Sequence, residues 1–275
     1  MYIFATHKCG ISITHLKSRP ETLLMKITIL QTDIEWSLPL QNAQKAEALI
    51  SSAPPSDVYV LPEMWSTGFA TQARGIAESD DQSLQWMRRT ARRTGSAICG
   101  SVSIVWGDSH RNRHYFVRPD GTYDFYDKHH LFRHGGEDRE YESGDKRTIA
   151  EWQGMRFLLL TCYDLRFPLW CRYREDYDAI IVVANWPKNR MNAWHILLRA
   201  RAIENQCYVI GANRVGRDPY CQYTGHSVII DPKGFTVSGG ATEGETIVSG
   251  EISLEEVQSF REKFEVLKDR DNYTL

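Results

Sequence analysis

Three side chains of complementary chemistry, a thiol, a carboxylate and an ammonium, each stand where an apolar run of this chain stops. Cys162 follows Met155-Arg156-Phe157-Leu158-Leu159-Leu160-Thr161 and precedes Tyr163-Asp164-Leu165-Arg166. A thiol at such a junction projects from a rigid strand, and the turn's backbone N–H groups stay free to bind an anion, which suits a nucleophile. A cysteine with the ordinary pKa of about 8.5 is mostly protonated at neutral pH, so a base or cation must stand beside it. Glu63 closes the run Asp57-Val58-Tyr59-Val60-Leu61, and Lys128 closes the one ending at Tyr126-Asp127. Taken singly these are a core cysteine, a solvated carboxylate and an exposed ammonium. Three such groups at the ends of different strands favour the functional reading. Cys99, Cys171 and Cys207 lie in or beside apolar elements and are expected in the core.

The elements that must carry these groups alternate between strand and helix patterns. Strands are expected over residues 26–32, 57–61, 97–105, 113–118, 122–126, 155–161, 179–184 and 208–213. Helices are expected over 40–52, 82–94, 192–205 and 254–264, with another from the Cys162 turn to about Glu175. Pro119-Asp120-Gly121 reads as a hairpin turn. Residues 1–24 carry no pattern that continues into Met25, so they are set apart as an N-terminal extension, disordered or lying upstream of a misassigned start, and 25–275 as one domain. Polar residues cluster past the carboxyl ends of the buried strands, the edge where open α/β sheets bind ligands.

Composition narrows the function. With 33 basic against 35 acidic side chains in 275 residues the formal charge is −2, which excludes nucleic-acid binding driven by bulk charge. The six cysteines form no C-x-x-C pair, so no structural zinc site is expected. The absence of a signal-peptide pattern points to a reducing cytoplasm. The run Ala179 to Ala184 is far shorter than the roughly 20 residues of a membrane span. His129, His130 and His134 are not spaced to place three ligands on one face and are expected as solvated loop residues. Gly135-Gly136 and Gly239-Gly240 lack a phosphate-loop context and read as turns.

Leu61-Pro62-Glu63-Met64, Tyr126-Asp127-Lys128-His129-His130-Leu131-Phe132 and Cys162-Tyr163-Asp164-Leu165-Arg166-Phe167-Pro168 resemble, in order and separation, the Glu-Lys-Cys motifs of the nitrilase superfamily of carbon–nitrogen hydrolases. The resemblance spans essentially Met25 to Leu275. Within it the chain looks most like bacterial YafV-type omega-amidases, through Val183-Ala184-Asn185-Trp186-Pro187, residues 199–206 and Arg261-Glu262-Lys263-Phe264. The resemblance implies a single-domain α/β fold, a four-layer α-β-β-α sandwich, where strand–helix alternation alone also allows a doubly wound sheet.

It further implies that Glu63 is the general base and that Lys128 and the Tyr163 N–H bind the oxyanion. A second glutamate, Glu137, orients Lys128 or the amide nitrogen, with Glu140 and Glu142 as rivals for that place. The reaction is release of ammonia from the distal amide of short 2-oxo acid amides through a cysteine thioester, with no metal and no organic cofactor. The substrate's carboxylate calls for an arginine. Arg166 and Arg190 are the candidates with Arg133 behind them, although Arg166 could instead pair with Asp164; Trp186 and Phe69 are expected as pocket walls. The partner is a small-molecule amide, with no nucleic acid or membrane, and a homodimer is expected. Two alternatives stay open: another amidase or an N-carbamoyl amino acid hydrolase of the superfamily, and a catalytically idle interaction protein with the same fold. Tyr163-Asp164 stand where true nitrilases tend to carry Trp-Glu, which disfavours nitriles; the intact Glu63, Lys128 and Cys162 disfavour the idle protein.

Overall fold

The computed structural model describes residues 24–69, 72–271 and 273–274. The expected extension lies outside them except for Leu24, which opens the first strand.

The chain forms β1 (Leu24–Gln31), α1 (Pro39–Ser52), β2 (Val58–Val60), α2 (Gln82–Thr94), β3 (Ala97–Trp106), β4 (Ser109–Val117) and β5 (Tyr123–Asp127). It continues through β6 (Ile149–Trp152), β7 (Met155–Thr161), α3 (Pro168–Cys171), β8 (Ala179–Ala184), α4 (Met191–Asn205) and β9 (Tyr208–Asn213). A short hairpin, β10 (Val215–Arg217) and β11 (Gln222–Thr224), leads to β12 (Val228–Ile230), β13 (Thr236–Gly239), β14 (Thr246–Ser253) and α5 (Leu254–Lys263). One sheet has the order β14-β1-β2-β3-β4-β5 and the other β13-β12-β9-β8-β7-β6.

Period-2 alternation decides the layering. Met25, Ile27 and Ile29 of β1 and Val58 and Val60 of β2 pack into the core between the sheets, with Phe157 and Leu159 of β7. The intervening Leu30 and Tyr59 face the other way, against Ala46 and Ile50 of α1 and Leu84 and Met87 of α2. On the far side Trp194, Leu198 and Ala202 of α4 cover the second sheet. The result is the α-β-β-α sandwich, and the doubly wound alternative is excluded because two sheets stack face to face. Phe116 and Phe157 stack across the interface with centroids 5.5 Å apart.

The helix expected to run to Glu175 is shorter. Cys162–Arg166 is a 3-10 turn and α3 is four residues, with Pro168 at its start. Tyr173 donates its N–H to the Asn205 side chain 2.9 Å away, outside any helix. No helix among the described residues is long and apolar enough to cross a membrane.

Candidate active site

Each functional group is delivered by the end of a buried strand. Glu63 follows β2, Lys128 follows β5, Cys162 follows β7 and Asn185 follows β8. Cys162 takes φ +45°, a left-handed conformation unusual for a residue with a Cβ, so the chain turns sharply just where the thiol projects. The lysine loop is held from behind: Gly144 donates its N–H to the Lys128 carbonyl at 2.9 Å. A Cβ on Gly144 would lie 2.2 Å from the Asp127 carbonyl oxygen, so only glycine allows that approach.

The side chains of Glu63, Lys128 and Glu137 have no exposed surface. Lys128 Nζ donates to Glu63 Oε1 at 2.8 Å and to Glu137 Oε1 and Oε2 at 3.0 and 2.8 Å. The Phe132 N–H donates to Glu137 Oε2 at 2.6 Å. The two rivals of Glu137 stand elsewhere: Glu142 pairs with Arg111 at 2.6 Å, and Glu140 offers its carbonyl to His110.

Two asparagines to which sequence reasoning gave no role complete the cluster. Asn112 of β4 donates from Nδ2 to Glu63 Oε1 at 2.8 Å and to Glu137 Oε1 at 3.0 Å. The Asn185 N–H reaches Glu63 Oε2 at 2.9 Å, and its Nδ2 reaches the Glu63 carbonyl at 2.7 Å. Asn112 sits among the charged and polar residues of β4 and leaves no trace in the sequence, and Asn185 appears there only as part of the Val183–Pro187 stretch, without a role.

The role of Asp164 also emerges only in three dimensions. Its buried carboxylate accepts from the Thr161 N–H and the Tyr126 hydroxyl on one oxygen, and from the His130 N–H on the other, at 3.0, 2.8 and 2.9 Å. One carboxylate thereby ties residues two before and two after Lys128 to the turn holding Cys162. His130 Nδ1 lies 2.9 Å from the same Asp164 oxygen. The His130 ring stacks on Phe167 and the His129 ring on Trp170, so these histidines are packed struts where solvated loop residues were expected.

Electrostatics follow from burial. Burial alone would strip the Lys128 proton, but the carboxylates of Glu137 and then Glu63 outweigh it and hold the ammonium charged. Burial raises the Glu137 pKa, with Lys128 opposing it. For Cys162, burial first and the Glu63 carboxylate second push the thiol well above its ordinary range, against the pull of Lys128. The resting site therefore holds a neutral thiol beside a carboxylate, an arrangement able to move a proton from sulfur to oxygen.

Cys162 opens into a cavity of about 410 Å³. Its lining includes Phe69, Phe132, Tyr163, Arg166, Trp186 and Arg190, so the two expected wall residues and the two candidate arginines meet the thiol in one space. The guanidinium of Arg166 lies 5.0 Å from the centre of the Trp186 ring, and that of Arg190 5.0 Å from the centre of the Phe132 ring. Asp164 is occupied by the contacts above and does not bind Arg166. Arg133 lies apart, solvent-exposed and paired with Asp138 at 3.2 Å. Asp218, Tyr220, Cys221 and Tyr223, around the β10–β11 hairpin, form a further wall with no motif signal. Cys99, Cys171 and Cys207 are buried as expected. Tyr163 is the second residue of its turn, where a backbone N–H has no acceptor within the turn.

An α-β-β-α sandwich that sets a thiol beside a buried carboxylate and a charged lysine defines a hydrolase class working through sulfur. The carbon–nitrogen hydrolase family matches residues 26–262, and the chain belongs to that family. It is 41% identical to the omega-amidase YafV of Escherichia coli K12 over 91% of this chain and 98% of that one. It is 37% identical to the 2-oxoglutaramate amidase of Bacillus subtilis, over 88% and 96%. A crystal structure of a CN-hydrolase superfamily protein from Xanthomonas campestris, with an arsenic adduct in its active site, superposes with a TM-score of 0.88 at 38% identity, covering 92% of this chain and 99% of that one.

Proposed function

We propose that this protein is an omega-amidase that releases ammonia from the distal amide of short 2-oxo acid amides such as 2-oxoglutaramate and 2-oxosuccinamate. Cys162 Sγ attacks the amide carbon while its proton passes to Glu63. The oxyanion is bound by Lys128 Nζ and the Tyr163 N–H, each such donor contributing about 2.7–4 kcal/mol to the transition state. The tetrahedral species collapses, the C–N bond breaks, and Glu63 returns the proton to the departing ammonia. Water, deprotonated by Glu63, then opens the thioester and frees the carboxylate and the thiol. Glu137 keeps Lys128 in place. The cycle closes with water alone and requires no metal or organic cofactor.

One observation carries the substrate class. The cavity above Cys162 holds two guanidinium groups, Arg166 and Arg190, that rest on aromatic faces and have no carboxylate partner among the described residues. They suit the carboxylate of an ω-amide, with Trp186 and Phe69 packing its carbon chain. The names of the Escherichia coli and Bacillus subtilis relatives agree with this reading.

The protein works in the reducing cytoplasm, which keeps Cys162 as a thiol, and forms a homodimer. Support for the dimer comes from α4, which leaves Ile196 and Ile203 57% and 51% exposed two turns apart on one face. Ammonia release from 2-oxoglutaramate, with Cys162→Ala as control, tests the assignment. Activity on N-carbamoyl amino acids instead, or activity surviving in the variant, would overturn it.

A further inference from the structure

Lys128 Nζ has three protons, and three carboxylate contacts already draw on them. The oxyanion of the proposed amidase cycle is a fourth acceptor, so one contact must be surrendered as the transition state forms. Glu137 Oε1 is the longest of the three at 3.0 Å, and Asn112 Nδ2 already serves it at 3.0 Å. Asn112 serves Glu63 Oε1 as well, at 2.8 Å. The same two oxygens are thus bridged twice, on one side by the ammonium and on the other by the amide.

The backbone fixes this arrangement. Asn112 lies opposite Ser103 in the β3–β4 ladder, and its carbonyl accepts the Lys128 N–H at 3.0 Å, so the amide keeps a set offset from the lysine. Asn112 is 1% exposed, and its Oδ1 has no hydrogen-bond partner among the described residues. Turning the amide over would press that oxygen against two carboxylates; only the NH2 orientation is tenable.

Resting on the amidase reading, we infer that Asn112 is a positioning residue that holds the Glu63 and Glu137 oxygens while Lys128 turns a proton toward the oxyanion. It takes up hydrogen bonds that the lysine gives away, so its contribution is larger in the transition state than in the substrate complex.

Two rates separate this role from general support of the fold: turnover of an amide, which forms an oxyanion, and alkylation of Cys162 by iodoacetamide, which displaces iodide and forms none. In Asn112→Ala we expect kcat to fall about 10- to 100-fold, the range for partners that orient a reacting group. KM should stay within about threefold, and alkylation at Cys162, followed by peptide mass spectrometry, should stay within about threefold of the parent. Asn112→Ser, which keeps one donor, should recover part of the lost kcat. Asn112→Asp, which adds a third carboxylate, should fall below Asn112→Ala. Unchanged kcat, or kcat and alkylation falling together, would overturn the inference. Turnover is measured on 2-oxoglutaramate, a simple aliphatic amide and an N-carbamoyl amino acid. Which compound the parent hydrolyses decides the substrate reading; the variant-to-parent ratio on that compound decides the role of Asn112.

Discussion

At the floor of the cavity the Glu63 carboxylate receives four donated contacts, from Lys128, Asn112 and the Asn185 backbone and side chain. Glu137 likewise receives four, from Lys128, Asn112 and Phe132. Along the wall, Arg166 and Arg190 touch aromatic faces and no carboxylate among the described residues. The floor's hydrogen bonds are complete before any substrate arrives, so its heavy atoms are already held in place and only a Lys128 proton has to turn when charge develops. The wall keeps its cations unsatisfied, and that unspent hydrogen-bonding capacity is what a bound anion can use. On the proposed reading, rigidity belongs to the groups that do chemistry, and electrostatic incompleteness to those that choose the substrate.

The sharpest way to break the contrast is to remove the proposed nucleophile. Cys162→Ala should lower ammonia release by at least about 10⁴-fold, because no other floor group can form the acyl intermediate. Lys128→Met should come next. It leaves two carboxylates facing each other in a buried site, and thermal unfolding should register about 3–5 kcal/mol of lost stability. Turnover should fall by about 10²–10³-fold with the lost oxyanion donor. Wall substitutions should behave oppositely. Arg166→Ala or Arg190→Ala should raise KM for a 2-oxo acid amide about 10- to 100-fold and leave turnover of an uncharged amide within about threefold. Stability should move by no more than about 0.5 kcal/mol, since neither arginine holds an ion pair.

An effect on stability alone, with no change expected in the chemistry at neutral pH, lies beneath the floor. His114 is buried between the sheets, 2.9 Å from Cys99 Sγ and 3.1 Å from the Leu160 carbonyl. Burial lowers its pKa to about 3 from the ordinary 6.5. The native state therefore binds fewer protons than the unfolded chain between those values. Its stabilising effect is complete above about pH 6.5 and drains as pH falls, by about 1.4 kcal/mol per unit. Urea unfolding at pH 7, 5 and 4 should show this slope in the parent and a shallower one in His114→Gln.

Much of the floor was legible in the sequence because its reactive groups stand where continuous apolar runs stop, and such runs announce both a buried strand and its end. Val58 to Leu61 before Glu63 and Phe157 to Leu160 before Cys162 are of this kind. Glu137 could be picked out by its place after Lys128; its separation from Glu140 and Glu142 is visible only once the 3-10 turns of that loop aim one carboxylate inward. Asn112 was hidden because a lone asparagine in a strand has no periodic signature, and Asn185 was visible only as part of the Val183–Pro187 stretch, since what both touch depends on two sheets facing each other. Asp164 was legible as part of the cysteine motif, yet its grip on both sides of Lys128 required groups 38 and 34 residues apart to converge. The helix overextended to Glu175 reflects ordinary helical composition overridden by Pro168 and by the docking of Tyr173 on Asn205. The hairpin wall around Asp218 and Tyr223 carries turn and aromatic residues that any surface loop could hold.

The left-handed backbone at Cys162 sets durability against reactivity at a single codon. Glycine would occupy φ +45° without the roughly 1 kcal/mol penalty a Cβ incurs there, and would make the fold sturdier while abolishing its chemistry. A screen of this protein for heat resistance alone should therefore enrich Cys162→Gly, and loss of that replacement when turnover is added to the screen would mark where fitness overrules folding.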